Sequence, residues 1–304
     1  MPQPDYQTLI DSPTWDFIRQ TADFYPPDAV GLSIAAQRAV YDRMCCAFHR
    51  GIPAGVAVSD HAMSGVLVRR YEPANPAATL LYFHGGGFVV GGLDSHDDVC
   101  AEICAATGLR VISVDYRLAP EHPHPAAFDD CLAATRAAAV AFPGPLLLAG
   151  DSAGGALAAS VAHACRNGPQ ITGQVLIYPG LGGNRDRGSY LTHADAPMLT
   201  REDVLYYAAI RHAGQEPKAD PTAAVLQDTD FTGLPPTVIF SAECDPLADD
   251  GRDYRDVLLA AGGWAEWHLE PGLVHGYLRA RTTVPRAAAS FGRICAAISQ
   301  LAGR

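Results

Sequence analysis

The hydrophobic and polar positions of this chain follow one pattern at its beginning and another in the remainder. Apolar residues recur at helical spacing from residue 11 to about residue 48, and Tyr25-Pro26-Pro27 interrupts them, which predicts two short amphipathic helices. Two alternating stretches follow, residues 56–63 and 66–71, and Ser64-Gly65 separates them. Alternation around a short glycine-containing turn is typical of a β-hairpin.

From residue 80 onwards the apolar residues form short continuous runs instead of alternating. Such runs suit strands that are buried on both faces of a parallel sheet. Helical windows of crossover length lie between them, so the pattern predicts an α/β fold with a mostly parallel sheet of about eight strands, flanked by helices. The predicted strands of this part are 80–83, 111–114, 146–148, 175–178, 238–240 and 265–269, and the predicted helices are 97–106, 126–142, 153–166, 247–261 and 286–302.

Residues 182–215 fit this alternation poorly. They contain no predicted strand and one helical window, 201–212, between two core strands. An insertion of this length inside a compact domain is usually functional, which favours a helical cap over the strand ends, although an ordinary helical crossover is the alternative. We therefore expect an N-terminal cap segment at 1–48, a cap insertion at 182–215, and one α/β domain made of 49–181 and 216–304.

The composition narrows the classes of function. The 304 residues carry a formal net charge of −11, and 48% of them are hydrophobic. Such a chain disfavours nucleic acids and anionic membranes as partners, because binding them requires clustered Lys and Arg. The first residues carry no secretion signal and no window reaches the ~18 apolar residues of a membrane span, so we expect a cytoplasmic protein. The cysteines and histidines show no zinc-type spacing, so we expect free thiols and no metal.

The stretch Gly150-Asp151-Ser152-Ala153-Gly154 stands where an apolar run ends and a helix of small residues begins. A G-x-S-x-G sequence at this place is typical of the nucleophile elbow, a strained turn that exposes a serine Oγ above its sheet. A glycine on either side lets the backbone close up without a Cβ clash. The motif alone is common by chance, so its position after a predicted buried strand carries the interpretation of Ser152 as a nucleophile.

A serine hydroxyl becomes a good nucleophile when a base accepts its proton and a third group orients that base. In the order that accompanies the elbow, an acid and then a histidine follow the serine, each after a late strand. Asp245, beyond the strand 238–240, and His275, beyond the last predicted strand, satisfy this order. The competing candidates are Glu243, Asp249 and Asp250 for the acid and His193, His212 and His268 for the base.

The glycine-rich loop His84-Gly85-Gly86-Gly87 follows the strand 80–83. Loops of this type supply backbone N–H groups to the oxyanion of a tetrahedral intermediate, together with the N–H of the residue after the nucleophile, here Ala153. A dinucleotide-binding frame that starts at Gly85 would require a glycine at position 90, where the chain has Val90, and no P-loop lysine follows. We therefore interpret the loop as part of an oxyanion hole.

Taken together, these motifs resemble the bacterial hormone-sensitive-lipase-like (family IV) esterases of the α/β-hydrolase fold, in the branch with GDSAG. The resemblance spans nearly the whole chain. It rests on His84-Gly85-Gly86-Gly87-Phe88, Asp115-Tyr116-Arg117-Leu118-Ala119-Pro120-Glu121 with Pro125-Ala126-Ala127, Gly150-Asp151-Ser152-Ala153-Gly154-Gly155, Asp245-Pro246-Leu247 and His275-Gly276.

The resemblance implies a helical cap over a catalytic domain and chemistry without a cofactor. It also implies a catalytic triad of Ser152, Asp245 and His275. The oxyanion hole that it implies is formed by the N–H groups of Gly86, Gly87 and Ala153. Arg117 and Glu121 belong to a family block that is mostly architectural, so we expect them to fix a loop.

The sequence departs from the family pattern in the cap insertion, where relatives commonly carry tryptophans and this chain has Tyr206 and Tyr207. The candidate substrate-binding residues are Phe88, Met198, Leu199 and Tyr207. The expected reaction is hydrolysis of short- to medium-chain acyl esters through an acyl-enzyme intermediate. Amide or formamide hydrolysis by the same residues, and a non-catalytic small-molecule receptor on the same fold, are the alternatives. The strand 265–269 and the last helix are the candidate surfaces for a homodimer.

Overall fold

Three helices precede the sheet in the computed structural model, which describes residues 4–26, 31–215 and 217–303. They are α1 (Tyr6–Leu9), α2 (Ser12–Ala22) and α3 (Ile34–Phe48). The side chain of Asp11 accepts a hydrogen bond from the Thr14 N–H at 3.0 Å and thereby caps α2. The helix α1 was not predicted, because four residues are too few to show a helical period. The start of the segment 1–48, Pro27 of the proline break and the boundary at 216 lie outside the described residues.

The described residues form one sheet of eight strands in the order β1-β2-β4-β3-β5-β6-β7-β8. The hairpin strands pair antiparallel with each other and β2 pairs antiparallel with β4, whereas all other pairs are parallel. This topology confirms the predicted α/β-hydrolase fold class. The strands are β1 (Ala57–Met63), β2 (Val66–Glu72), β3 (Thr79–Phe83), β4 (Arg110–Val114), β5 (Leu146–Asp151), β6 (Gly173–Ile177), β7 (Thr237–Cys244) and β8 (Ala265–Val274).

Helices cover both faces of the sheet, because successive residues of a buried strand point to opposite sides. Leu80 and Tyr82 of β3 belong to one apolar core, whereas Leu81 and Phe83 belong to the other. The remaining helices are α4 (Asp97–Thr107), α5 (Ala126–Ala141), α6 (Ala153–Ala164), α7 (Ser189–Thr192), α8 (Arg201–Arg211), α9 (Ala248–Ala260) and α10 (Pro285–Ala302). The helices of the described ranges include none with the length and apolar character needed to cross a bilayer.

The last strand is longer than its apolar pattern predicts. It continues from 269 to Val274 through Pro271 and Gly272, so that His275 comes directly at its end. A proline is tolerated here because β8 lies at the edge of the sheet, where one row of N–H groups has no neighbouring strand to pair with. The pairing with β7 is irregular between Ala242 and Cys244, which accommodates the extension.

Candidate active site

Ser152 lies in the tight turn between β5 and α6. Its backbone is strained, with φ 53° and ψ −118°, and its N–H donates to the carbonyl of Ile177 at 2.8 Å. The glycines of the motif are required by space, because a Cβ on Gly154 would overlap the carbonyl oxygen of Phe83, and one on Gly150 would overlap the Gly154 backbone. The turn therefore has the geometry of a nucleophile elbow, as predicted from the motif.

The structure brings Ser152, His275 and Asp245 together in one hydrogen-bonded row. The Nε2 atom of His275 lies 2.8 Å from the Ser152 Oγ, and its Nδ1 atom lies 2.7 Å from Asp245 Oδ2. Asp245 is fully buried, and its other oxygen accepts the Leu247 N–H at 2.8 Å. A carboxylate at Nδ1 favours the tautomer with a proton on that atom, which leaves the Nε2 lone pair free to accept the Ser152 proton.

The competing acids serve other contacts. Glu243 accepts the Gly272 N–H at 2.7 Å, and Asp249 accepts the Ser189 N–H at 2.9 Å. Asp250 accepts hydrogen bonds from the backbone of 181–183 and from the hydroxyl of Tyr190. Burial raises the pKa of Asp250 to about 6, although these donors favour its charged form. Both aspartates thus hold the beginning of the 182–215 segment against α9.

The competing histidines make other contacts. His193 contacts the Tyr6 hydroxyl through Nδ1 at 3.1 Å, and the ring of His268 stacks on Phe240 with 4.9 Å between centroids. His212 lies edge to face with His124, with 5.4 Å between centroids. The histidine atom that lies within hydrogen-bond distance of Ser152 Oγ is His275 Nε2, at 2.8 Å.

The glycine-rich loop is docked on Asp151, the residue before Ser152. Asp151 Oδ1 accepts the Gly85 N–H at 3.0 Å and the Tyr82 hydroxyl at 2.8 Å, and its Oδ2 lies 3.3 Å from His96 Nε2. Burial would raise the pKa of Asp151, but His96 and the Tyr82 hydroxyl hold it below the usual value, so the carboxylate stays charged. This role of Asp151 was not predicted from the sequence, although a charged residue at the end of a buried apolar strand was a signal for it.

The loop itself requires glycine at two positions. Gly86 has φ 123° and Gly87 has φ 60°, and a Cβ on Gly86 would overlap the Val90 carbonyl oxygen. Within the described residues, the backbone N–H groups of Gly86, Gly87 and Ala153 donate to no backbone carbonyl. Three such donors beside a serine Oγ suit an oxyanion.

His84, at the start of this loop, has a structural environment. Its ring stacks on Tyr116 with 4.2 Å between centroids, and the Tyr116 hydroxyl donates to the His84 carbonyl at 2.6 Å. Burial lowers the pKa of His84 to about 3, so the ring is neutral. Arg117 forms an ion pair with Asp130 at 2.8 Å, and Glu121 forms one with Arg38 at 2.7 Å. These contacts brace the loop region, as predicted for Arg117 and Glu121.

Two cavities adjoin Ser152, a larger one of about 420 Å³ and a smaller one of about 100 Å³. Each of the four predicted pocket residues lines at least one of them. Phe88 lines the smaller cavity, Met198 the larger, and Leu199 and Tyr207 line both. A Cβ on Gly87 would lie 2.6 Å from the Tyr207 ring, so this ring rests directly on the glycine-rich loop.

The larger cavity also has wall residues that were not named from the sequence, although the N-terminal segment was expected to form a cap. Residues of α2 and α3 line it, and the Gln37 side chain of α3 donates to the Tyr206 hydroxyl of α8 at 2.9 Å. Arg279 lines the same cavity. Apolar residues recur with the same spacing in a helix that packs on a core and in a helix that lines a pocket. The sequence of such a helix therefore gives no local signal that distinguishes the two roles.

Comparisons with known proteins agree with this geometry. Residues 80–279 match the model of a family with the α/β-hydrolase fold. The chain is 39% identical over 252 residues to the carboxylesterase NlhH of Mycobacterium tuberculosis, covering 78% of this chain and 79% of the relative. It is 43% identical over 229 residues to the esterase LipI of the same organism, covering 71% of each chain.

A solved structure gives the same result. An esterase from the bacterial hormone-sensitive lipase (HSL) family superposes with a TM-score of 0.88 at 28% sequence identity, covering 97% of this chain and all of the other. The fold, the family match and the named relatives lead to one conclusion. The chain belongs to the bacterial hormone-sensitive-lipase-like (family IV) esterases of the α/β-hydrolase fold and is a carboxylic ester hydrolase.

Proposed function

We propose that Ser152, His275 and Asp245 are the catalytic triad of this ester hydrolase. The observation that carries the proposal is the row of hydrogen bonds from Ser152 Oγ to His275 Nε2 at 2.8 Å and from His275 Nδ1 to Asp245 Oδ2 at 2.7 Å. Ser152 is the nucleophile, His275 is the general base and then the general acid, and Asp245 orients the imidazole and stabilises its protonated form.

In the proposed mechanism, Ser152 Oγ attacks the ester carbonyl while its proton passes to His275 Nε2. The N–H groups of Gly86, Gly87 and Ala153 stabilise the oxyanion of the tetrahedral intermediate. This intermediate collapses to the acyl-enzyme as the acyl–oxygen bond breaks and His275 gives its proton to the leaving alcohol. Water then attacks the acyl-enzyme with His275 again as base, and the carboxylic acid is released.

The two cavities suggest where the two halves of the ester lie. The leaving alcohol must receive its proton from His275, and of the two cavities only the larger is lined by His275. We therefore assign the alcohol to the larger cavity and the acyl chain to the smaller one. The smaller cavity, of about 100 Å³ against about 420 Å³, has less room than the larger one, which supports a preference for short- to medium-chain acyl groups.

We further propose that residues 1–48 and 182–215 act as a cap over a catalytic domain of 49–181 and 216–304. Helices α2, α3 and α8 all contribute walls to the larger cavity, and the hydrogen bond from Gln37 to Tyr206 joins two of them. Phe88, Met198, Leu199 and Tyr207 are the proposed substrate contacts. A cap built this way excludes bulk water from the reacting atoms.

Replacing Ser152 with alanine tests the triad. We expect kcat for p-nitrophenyl butyrate to fall at least about 10⁴-fold, because no other group takes over the attack. Ser160→Ala, two turns further along α6, is the matched control and should retain activity. A folded Ser152→Ala protein that still hydrolyses this ester would contradict the proposal.

The acyl preference has its own measurement. Values of kcat/KM along a series of p-nitrophenyl esters with acyl chains of about two to sixteen carbons should peak among the short members, since longer chains exceed the smaller cavity. A p-nitroanilide matched to the best ester should be hydrolysed much more slowly. A peak at the longest chains, or faster cleavage of the anilide, would refute the substrate assignment.

A further inference from the structure

Arg279 is the feature of the larger cavity that ester hydrolysis leaves unused. It lies in the short helical turn Tyr277–Ala280, directly after His275 and Gly276. Its side chain lines the larger cavity together with Ser152 and His275. The guanidinium is charged at every physiological pH, so it places a fixed positive charge beside the reacting groups.

This charge forms no ion pair with a carboxylate among the described residues, although the charge of Asp151 acts on it from a greater distance. Nη1 donates to the Ser95 carbonyl at 2.9 Å and Nη2 donates to the Tyr41 hydroxyl at 2.7 Å, both of which are neutral acceptors. Arg281, only two residues further on, pairs with Asp98 at 2.7 Å and with Glu102 at 2.8 Å. Arg279 is partly exposed and lines the cavity. Cations withdrawn from bulk water are normally paired, so the contrast between the two arginines points to an anion that enters from the cavity.

The two acidic side chains that share the cavity walls are already engaged. Asp151 is held by Tyr82, by the Gly85 N–H and by His96. Asp203 accepts the N–H and the hydroxyl of Thr200, at 2.9 and 2.7 Å, in the capping box of α8. Neither carboxylate forms an ion pair with Arg279. The Arg279 guanidinium therefore has N–H donors available beyond its two bonds to Ser95 and Tyr41.

We propose that Arg279 binds a carboxylate on the alcohol half of the ester, so that the preferred substrates are short acyl esters of hydroxycarboxylic acids. The inference rests on the proposed triad and on the assignment of the alcohol to the larger cavity. Hydrolysis then follows the same steps: the acyl–oxygen bond breaks, the hydroxycarboxylate leaves with the proton from His275, and water releases the short acid. The planar guanidinium suits a carboxylate, because it offers two parallel N–H donors.

Matched pairs of esters test this assignment without any variant. The carboxylates 4-acetoxybutanoate, 5-acetoxypentanoate and 6-acetoxyhexanoate differ from butyl, pentyl and hexyl acetate only by a carboxylate in place of the terminal methyl group. We expect the wild-type kcat/KM to favour at least one carboxylate over its matched alkyl acetate by about 10- to 100-fold, mainly through KM, since hydrogen bonds to a charged group have this strength. Equal values in all three pairs would overturn the proposal.

Variants of Arg279 then test the residue itself. The quantity compared is the ratio of kcat/KM for a carboxylate ester to kcat/KM for its matched alkyl acetate, which does not depend on the absolute rates. Arg279→Met should abolish the preference for the carboxylate, whereas Arg279→Lys should retain part of it. Arg50→Met removes one positive charge outside the cavity and should leave the ratio unchanged. A ratio that is the same in wild type and Arg279→Met would overturn the role of Arg279.

Two further measurements distinguish a wrong assignment of the alcohol half from a wrong assignment of the triad. Monoethyl adipate carries a carboxylate on its acyl half, and ethyl hexanoate is its matched ester without one. A preference for monoethyl adipate would overturn the assignment of the carboxylate to the alcohol half. Failure of the triad itself has a different signature, because Ser152→Ala would then hydrolyse both members of every pair.

Discussion

The ends of the strands and the segments proposed as a cap differ in how their side chains are held. At the strand ends, His275 and Asp245 form hydrogen bonds of 2.8 Å or less, and Asp151 is held by four partners. In the walls that α2, α3 and α8 contribute, most lining side chains are apolar or aromatic, and the bond from Gln37 to Tyr206 is a polar link between α3 and α8. Polar contacts require one geometry, whereas apolar contacts tolerate changes of shape.

This difference separates the side chains that we expect to carry out the reaction from those that we expect to set the range of substrates. Substitutions at the strand ends should abolish turnover for every ester. Substitutions in the cap should change which ester is preferred while leaving the reaction in place.

The largest effect is expected for Asp245→Asn. The substitution keeps the shape of the side chain, but an amide favours the wrong histidine tautomer and does not stabilise the imidazolium, so kcat should fall about 10⁴-fold. Steady-state kinetics with p-nitrophenyl butyrate measure this. Glu266→Gln on the exposed face of β8 controls for the loss of a carboxylate. A decrease of less than about tenfold would remove Asp245 from the triad.

Gly86→Ala should have the next largest effect. At φ 123° an alanine is strained, and its Cβ would overlap the Val90 carbonyl oxygen, so the loop must shift its N–H groups away from the oxyanion. We expect kcat to fall about 10²- to 10³-fold, as for the loss of one oxyanion donor, with little change in KM. Gly292→Ala in α10, where no atom lies within 4 Å of the added Cβ, should be tolerated. An unchanged kcat in Gly86→Ala would contradict the oxyanion hole.

Tyr207→Ala should alter specificity instead. The Tyr207 ring borders both cavities, so its removal joins them and admits a longer acyl chain. The ratio of kcat/KM for octanoate over butyrate p-nitrophenyl esters should rise about tenfold, since two further buried methylene groups contribute about 1.6 kcal/mol. Tyr206→Ala is the matched control, because Tyr206 lines only the larger of these two cavities. Equal shifts in both variants would mean that Tyr207 is not the dividing wall.

The smallest effect is expected for Thr200→Ala at the start of α8. The Thr200 hydroxyl accepts the Asp203 N–H at 3.1 Å, and its loss should cost about 1 kcal/mol of helix stability. Hydrogen exchange of the α8 amides should become faster, while Thr200→Ser, which keeps the hydroxyl, should match the wild type. Protection that does not change in Thr200→Ala would show that packing alone holds this helix.

The predictions from sequence succeeded where the signal was local. The buried strands, the crossover helices and the glycine-rich turns all depend on neighbouring residues, and the structure has them within a few residues of the predicted bounds. The strand β8 was predicted too short, because Pro271 and Gly272 resemble the end of a strand, and only its position at the sheet edge makes them tolerable.

The fold class, the elbow at Ser152, and the order in which acid and base follow it could all be predicted from the sequence. These are properties of short segments and of their succession along the chain. The structure was needed to show that Asp245 contacts His275 while Asp249 and Asp250 hold the 182–215 segment. It was also needed to show that Asp151 anchors the glycine-rich loop and that Arg279 lines the larger cavity. The physical reason is that hydrogen bonds and cavities join residues far apart in the chain, and residue type and spacing do not encode that proximity.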